Sequence, residues 1–277
     1  MFKKPRLLFY LLLALQITPC NASLIISQIN QNQVISFDST VNGVNNGKFA
    51  GTGFAANPSV GQLDSDAWST TGWSDGPLNY GGSFASGDHA RGVATSAVTT
   101  AGMYAYGTTD VALLIQAAAG DFDPGTLTLR VQNNTGQTIS KWNVGYEAYL
   151  RNDSPNDSWM RLELSANNTD WFIPIFEHMV GANNSGGSSD SLGWRLAQTH
   201  SYTFENTRIS VDNGNYLYMR WNVYNQAGIG SPFNSRDEWG IDDITIGAVA
   251  AVPEPATCGW VLFMMSVGFC YRRRAAQ

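Results

Sequence analysis

Three stretches of strict alternation constrain this chain more than any other feature. Thr126-Leu127-Thr128-Leu129-Arg130-Val131, Trp159-Met160-Arg161-Leu162-Glu163-Leu164 and Tyr216-Leu217-Tyr218-Met219-Arg220-Trp221-Asn222-Val223 set polar and apolar residues in turn, Trp159 being the one large apolar residue on a polar position. In an extended chain this period sends one set of side chains to a core and the other to water or a second layer. Turn formers separate such segments: Asn133-Asn134-Thr135-Gly136, Asn152 to Asp157, and Asn183-Asn184-Ser185-Gly186-Gly187. Short strands at this spacing predict an all-β fold, an antiparallel sandwich rather than a closed barrel. Helical periodicity is almost absent between Ser23 and Val252. The apolar residues of Ala112 to Ala119 run together, interrupted only by Gln116, rather than with a 3.6 period, which suits either a helical turn or two or a buried strand.

The two ends read differently from this body. Lys3, Lys4 and Arg6 precede the apolar run Leu7 to Ile17, and Cys20-Asn21-Ala22 follows with the small residues of a cleavage site. The run is shorter than the roughly 20 residues needed to cross a ~30 Å bilayer core, so residues 1–22 read as a cleaved secretory signal. A second reading makes Cys20 an acylated residue, which Pro19 opposes. At the other end Val252-Pro253-Glu254-Pro255 is followed by an apolar stretch to Tyr271 and by Arg272, Arg273 and Arg274. The prolines stop any strand, the apolar stretch is expected to form a short helix, and the arginines favour the cytoplasmic side. The predicted division is 1–22 signal, 23–250 sandwich and 251–277 tail.

All three cysteines, Cys20, Cys258 and Cys270, lie in the end segments, so the body holds together without disulfides despite export. Six of the 16 basic residues and one of the 22 acidic residues also lie there. The body is left with ten basic and 21 acidic residues, a net charge of −11. Such a surface repels phosphate backbones and disfavours nucleic acid as a partner. It attracts divalent cations.

The tail resembles the PEP-CTERM sorting signal of Gram-negative bacteria through Pro253, Glu254, Pro255, the apolar stretch and the arginine cluster. The resemblance implies signal peptidase and exosortase as partners during export, passing contact with the inner membrane, and a final place at the cell surface or in an exopolysaccharide matrix. A plain tail anchor is the other reading of the same residues. The segment Glu238-Trp239-Gly240-Ile241-Asp242-Asp243-Ile244-Thr245-Ile246 resembles the closing strand of jelly-roll modules of the carbohydrate-binding and adhesion type. The block from Gly51-Thr52-Gly53-Phe54 to Arg91-Gly92 is similar to a jelly-roll module of large secreted bacterial proteins. The resemblance implies a jelly-roll-like sandwich, with an Asp of the closing segment on calcium in some members.

Candidate chemistry follows from the loops. Asp64 and Asp66, Asp121 and Asp123, Asp237 and Glu238, and Asp242 and Asp243 supply the oxygen ligands of a hard cation, though none follows an EF-hand spacing. Asp64, Asp66, Asp242 and Asp243 are the expected positions for a structural calcium, and in a regular strand only one of the last two would face inward. Trp68 and Trp73 lie in Gly/Asp-rich loops and are expected to be exposed, with Asp75 beside them, as a platform for polysaccharide. Trp221, within an alternating run, is expected in the core. No catalytic constellation stands out. The three histidines, His89, His178 and His200, lack zinc spacing, and no nucleophile elbow occurs. Glu147 and Glu163 are the one conceivable glycosidase pair. Arg161 and Glu163 share a strand face, where an ordinary charge pair is the simpler reading. The expected protein is a non-catalytic polysaccharide-binding or adhesive module, with a secreted glycoside-active enzyme as the alternative.

Overall fold

The computed structural model describes residues 23–118, 120–154, 158–174, 178–180, 189–224 and 236–250. The signal and the tail, including Pro253, Glu254, Pro255, Arg272, Arg273 and Arg274, lie outside the described residues. Seven short strands come first: β1 (Leu24–Ile26), β2 (Asn32–Ile35), β3 (Phe54–Ala55), β4 (Leu63–Asp64), β5 (Trp68–Thr71), β6 (Val93–Ala94) and β7 (Gly102–Tyr106). Next are β8 (Ala112–Gln116), β9 (Gly125–Asn133), β10 (Lys141–Arg151) and β11 (Ser158–Ser165). The set ends with β12 (His178–Val180), β13 (Arg195–Glu205), β14 (Tyr216–Tyr224) and β15 (Glu238–Ala248). Among the described residues no helix is long and apolar enough to cross a membrane.

Strands β8 to β15 build two facing sheets. One runs β9-β14-β11-β12 and the other β13-β10-β15-β8. The chain changes sheet at every step but one, and the first of the eight strands lies beside the last, which is the strand order of a jelly roll. Every pairing within these eight is antiparallel. The expectation of a wholly antiparallel sandwich is corrected by the N-terminal strands. β1 runs parallel to β9, β3 to β4, and β6 to β7. β1 reaches the sheet edge from about a hundred residues away in sequence, so no hairpin sets its direction. The edge of β9 is shared, β5 pairing with its first half and β1 with its last three residues.

The edge of β15 is shared in the same way. β8 pairs with Trp239–Ile241 and β2 with Ile244–Gly247, so the change-over falls on Asp242 and Asp243. On the opposite edge Gly145 faces Thr245 and Glu147 faces Asp242, which leaves Tyr146 against two residues of β15. This is a β-bulge, and Asp243 takes a left-handed φ of 44° there. Ile241 and Ile244 are both fully buried. The bulge therefore leaves both aspartates on the outward side, and the expected split of one in and one out does not hold.

The core between the sheets is rich in large aromatics. Trp68, Trp142, Trp221 and Trp239 are fully buried. Trp68 stacks on Trp221 with ring centroids 6.3 Å apart, and its Nε1–H donates to the Val44 carbonyl at 3.2 Å. Trp221 is a core residue as its alternation predicts. The ambiguous run Ala112 to Gln116 is a strand buried on both faces, because Leu114 on its outward side packs with Ala94 and Tyr104.

Candidate functional site

The outward face of the β9-β14-β11 sheet gathers the polar half of all three alternating segments. Its residues form rows across the strands. Arg161, Asn222, Thr126 and Thr71 make one row, and Glu163, Arg220, Thr128 and Ser69 the next. Ser165, Tyr218 and Arg130 make a third, and Tyr216 with Gln132 opens a fourth. With strands about 4.8 Å apart and same-face neighbours about 7 Å apart, the face measures on the order of 14 by 20 Å.

Two arginines on this face are held by aromatic rings. The Arg130 guanidinium lies 4.3 Å from the Tyr80 ring centre and 4.6 Å from that of Tyr216, and its Nε–H donates to the Asp66 carbonyl at 2.5 Å. Arg220 lies 3.6 Å from the ring centre of Trp171. Each is a cation–π contact that helps to fix a long side chain over a ring. Between Arg161 and Arg220 sits Glu163, 2% exposed. Arg161 Nε donates to its Oε1 at 2.9 Å, Arg220 Nε to its Oε2 at 2.7 Å, and Asn222 Nδ2 to Oε1 at 3.3 Å. Burial alone would raise the Glu163 carboxyl, but Arg220, Arg161 and Asn222 outweigh it and hold the group below the usual range. The expected Arg161–Glu163 pair is thus present and is extended by Arg220.

The face sets flat apolar rings beside fixed donors and acceptors. That combination binds a ligand that is apolar on its faces and hydroxylated round its rim. It does not form a carboxylate pair for glycoside hydrolysis. Glu147 lies on the outward side of β10 in the other sheet, so Glu147 and Glu163 are on opposite outsides of the sandwich. Sheets packed about 10 Å apart put them well beyond any productive separation. Both oxygens of Glu163 are also already engaged.

The residues expected to form the platform lie elsewhere. Trp68 is fully buried and Trp73 is 5% exposed, so neither ring face is open to a ligand. The Gly/Asp-rich stretch they belong to is a packed cap. Trp73 packs at a tilt against Phe122 with ring centroids 4.5 Å apart, and His89 lies flat on Phe84 at 4.0 Å with Nε2 at 3.1 Å from the Thr70 hydroxyl. Burial lowers the His89 pKa, partly offset by Asp88 and Asp75. Asp75 is exposed, but its Oδ2 accepts the Asp88 backbone N–H at 2.8 Å and so ties two loops together.

The expected calcium positions are split, Asp64 lying in the separate two-stranded β3-β4 sheet and Asp242 and Asp243 in β15. Asp64 is buried beside β5, where its Oδ1 accepts the Asp66 N–H at 2.9 Å. Burial and the charge of Asp66 raise it to about 6 despite that bond and the nearby Arg130. Asp242 is buried on the other sheet and is raised to about 8 by burial and by Asp243, Asp110 and Asp38. The remaining pairs serve as ties: Asp123 with Arg236 at 2.5 Å, Asp121 with the Ser74 N–H, Asp237 with the Ser154 N–H, and Glu238 with the Val98 N–H. Among the described residues no three His, Cys, Asp or Glu side chains are grouped to hold a metal ion.

No protein-family profile matches the chain, and no curated protein is similar enough to count as a relative. Similar solved structures include the K2 cleaved adhesin domain of Lys-gingipain, at 15% identity over 78% of this chain and 99% of that one, with a TM-score of 0.36. TmCBM61 in complex with β-1,4-galactotriose is 15% identical over 51% of this chain and 72% of that one, with a TM-score of 0.28. The CBM22-1 xylan-binding domain from Paenibacillus barcinonensis is 11% identical over 57% and 86%, with a TM-score of 0.27. Likenesses of this size carry nothing toward a shared ligand. The sandwich stands on its own strand registers.

Proposed function

We propose that this chain is an exported, non-catalytic β-sandwich that binds polysaccharide at the cell surface or in the extracellular matrix. The observation that carries the reading is the outward sheet face, where Trp171, Tyr216 and Tyr218 accompany Arg130, Arg220 and Asn222. Pyranose rings present C–H faces to aromatic surfaces and hydroxyls to donors and acceptors, and this face supplies both in fixed positions. The signal and the Pro253-Glu254-Pro255 tail support delivery by signal peptidase and exosortase. Calcium enters the proposal as a structural ion, with Asp242 or Asp243, at the bulge of β15, its favoured first ligand.

The test is co-sedimentation of the full-length chain in mild detergent with exopolysaccharide of the producing cells, with and without a calcium chelator. Wild type is expected to sediment with the polymer, and Trp171→Ala and Tyr218→Ala to lose most of that binding while keeping the wild-type melting temperature. Equal binding by all three proteins would remove the face from the proposal.

A further inference from the structure

Past the edge of β11 lies a cavity of about 580 Å³, within the range of small-ligand sites. One wall is the loop between β11 and Phe172. The other is the 3-10 turn Thr207–Ile209. Both walls are rigid. Asn167 Oδ1 accepts the N–H groups of Thr169 and Asp170 at 3.0 and 2.9 Å, and Asn167 Nδ2 donates to Asp170 Oδ2 at 2.8 Å. Leu164 and Phe172 exchange backbone hydrogen bonds of 2.8 and 2.7 Å across the base of the loop. The turn is anchored by fully buried Ile209, whose carbonyl accepts from Trp142 Nε1 at 3.0 Å, and by Asn206 Oδ1, which accepts the Arg208 N–H.

Trp171, whose ring carries Arg220 on the outward sheet face, also lines this cavity. Asp170 and Arg208 line it from opposite walls. Among the described residues, Asp170 Oδ1 and the Arg208 guanidinium have no hydrogen-bond or ionic partner. The two charges do not bridge each other. An acceptor-only group and a donor-only group that line one space beside an indole, without bridging each other, leave room for a polyhydroxylated ring between them.

We propose that this cavity is a second subsite, taking a neutral pyranose at a chain end or side branch of the bound polysaccharide. The opposite charges of Asp170 and Arg208 balance, which favours a neutral sugar over a uronate. The shared Trp171 makes the subsite continuous with the sheet face. This inference rests on the polysaccharide reading and narrows it to polymers with accessible ends or branches.

The experiment titrates the full-length chain with methyl glycosides of glucose, galactose and mannose, with methyl glucuronide as the charged probe, and with the polymer. Tryptophan fluorescence and calorimetry give the affinities. At least one neutral glycoside is expected to bind, and Arg208→Ala and Asp170→Asn to weaken it tenfold or more at unchanged melting temperature. Both residues are on the surface, so neither variant compromises folding. If the polymer binds but no glycoside does, and Arg208→Ala binds polymer as wild type does, the subsite is overturned while the sheet face stands. Tighter binding of the glucuronide than of every neutral glycoside overturns the neutral class. Failure of both polymer and glycosides overturns the subsite together with the function it rests on.

Discussion

The Gly/Asp/Trp-rich cap around residues 64–92 and the outward face of β14 contrast in a useful way. The cap has the composition of a binding loop and is closed. Trp68, Trp73 and His89 are buried there against Trp221, Phe122 and Phe84. β14 has the composition of an ordinary half-buried strand, and its polar half carries the partly exposed tyrosines, Arg220 and Asn222 of the outward face. Composition reports which residues are present, whereas direction decides which are offered to a ligand. In β14 the period of two sets that direction. In the cap it is set by backbone turns, many of them at glycines, and by what packs underneath.

Substitutions separate the two regions by what they damage. The largest effect is expected from Trp68→Ala, which removes a fully buried indole and its hydrogen bond to Val44. A loss of about 3–5 kcal/mol is expected, read as a fall in the denaturant midpoint. A variant with unchanged stability would mean that the cap is not part of the core. Glu163→Gln comes next. It leaves two arginines without their shared carboxylate on a largely covered site, at a cost of about 3 kcal/mol or less, and chemical denaturation together with polymer binding would measure both consequences. Binding is expected to weaken because Arg220 is no longer held.

Trp171→Ala acts at the exposed end of the comparison. About tenfold or greater loss of polymer affinity is expected, with stability changed by less than about 1 kcal/mol. The smallest effect concerns pH. Burial depresses the His89 pKa, so folding favours the neutral ring. The contribution is fully present above the unfolded value of about 6.5 and is lost as the pH falls through the lower folded value. Melting curves of wild type and His89→Gln are expected to diverge at neutral pH and converge in acid. Parallel curves would remove His89 from the acid response.

The eight-strand sandwich is largely legible in the residues. Alternation in Thr126–Val131 and Tyr216–Val223 marks β9 and β14, and the Asn133–Gly136 cluster marks the turn between β9 and β10, whereas residues 155–157 and 183–187 lie outside the described residues. The parallel placing of β1 is not legible, because its partner lies about a hundred residues away and no local turn specifies it. Nor is the bulge at Asp243, which depends on two other strands sharing the far edge of β15. The face was half legible. Tyr216, Tyr218, Arg220 and Asn222 stand out as the polar set of an alternating run, and two tyrosines and an arginine at every second residue are the signal that they are more than a solvated edge. Trp171 and Tyr80 are not legible. They come from loops, and only the folded chain brings them onto Arg220 and Arg130.

The place of β15 has a consequence for the order in which the molecule can come into being. It is made last, yet it lies in the middle of its sheet, with β10 on one side and β8 and β2 on the other. Until Glu238–Ala248 is in place, β10 and β8 have no shared neighbour, and Trp239, Ile241, Ile244 and Ile246 are missing from the core. The sandwich therefore cannot close strand by strand from its first strand onward, and it locks only when β15 docks.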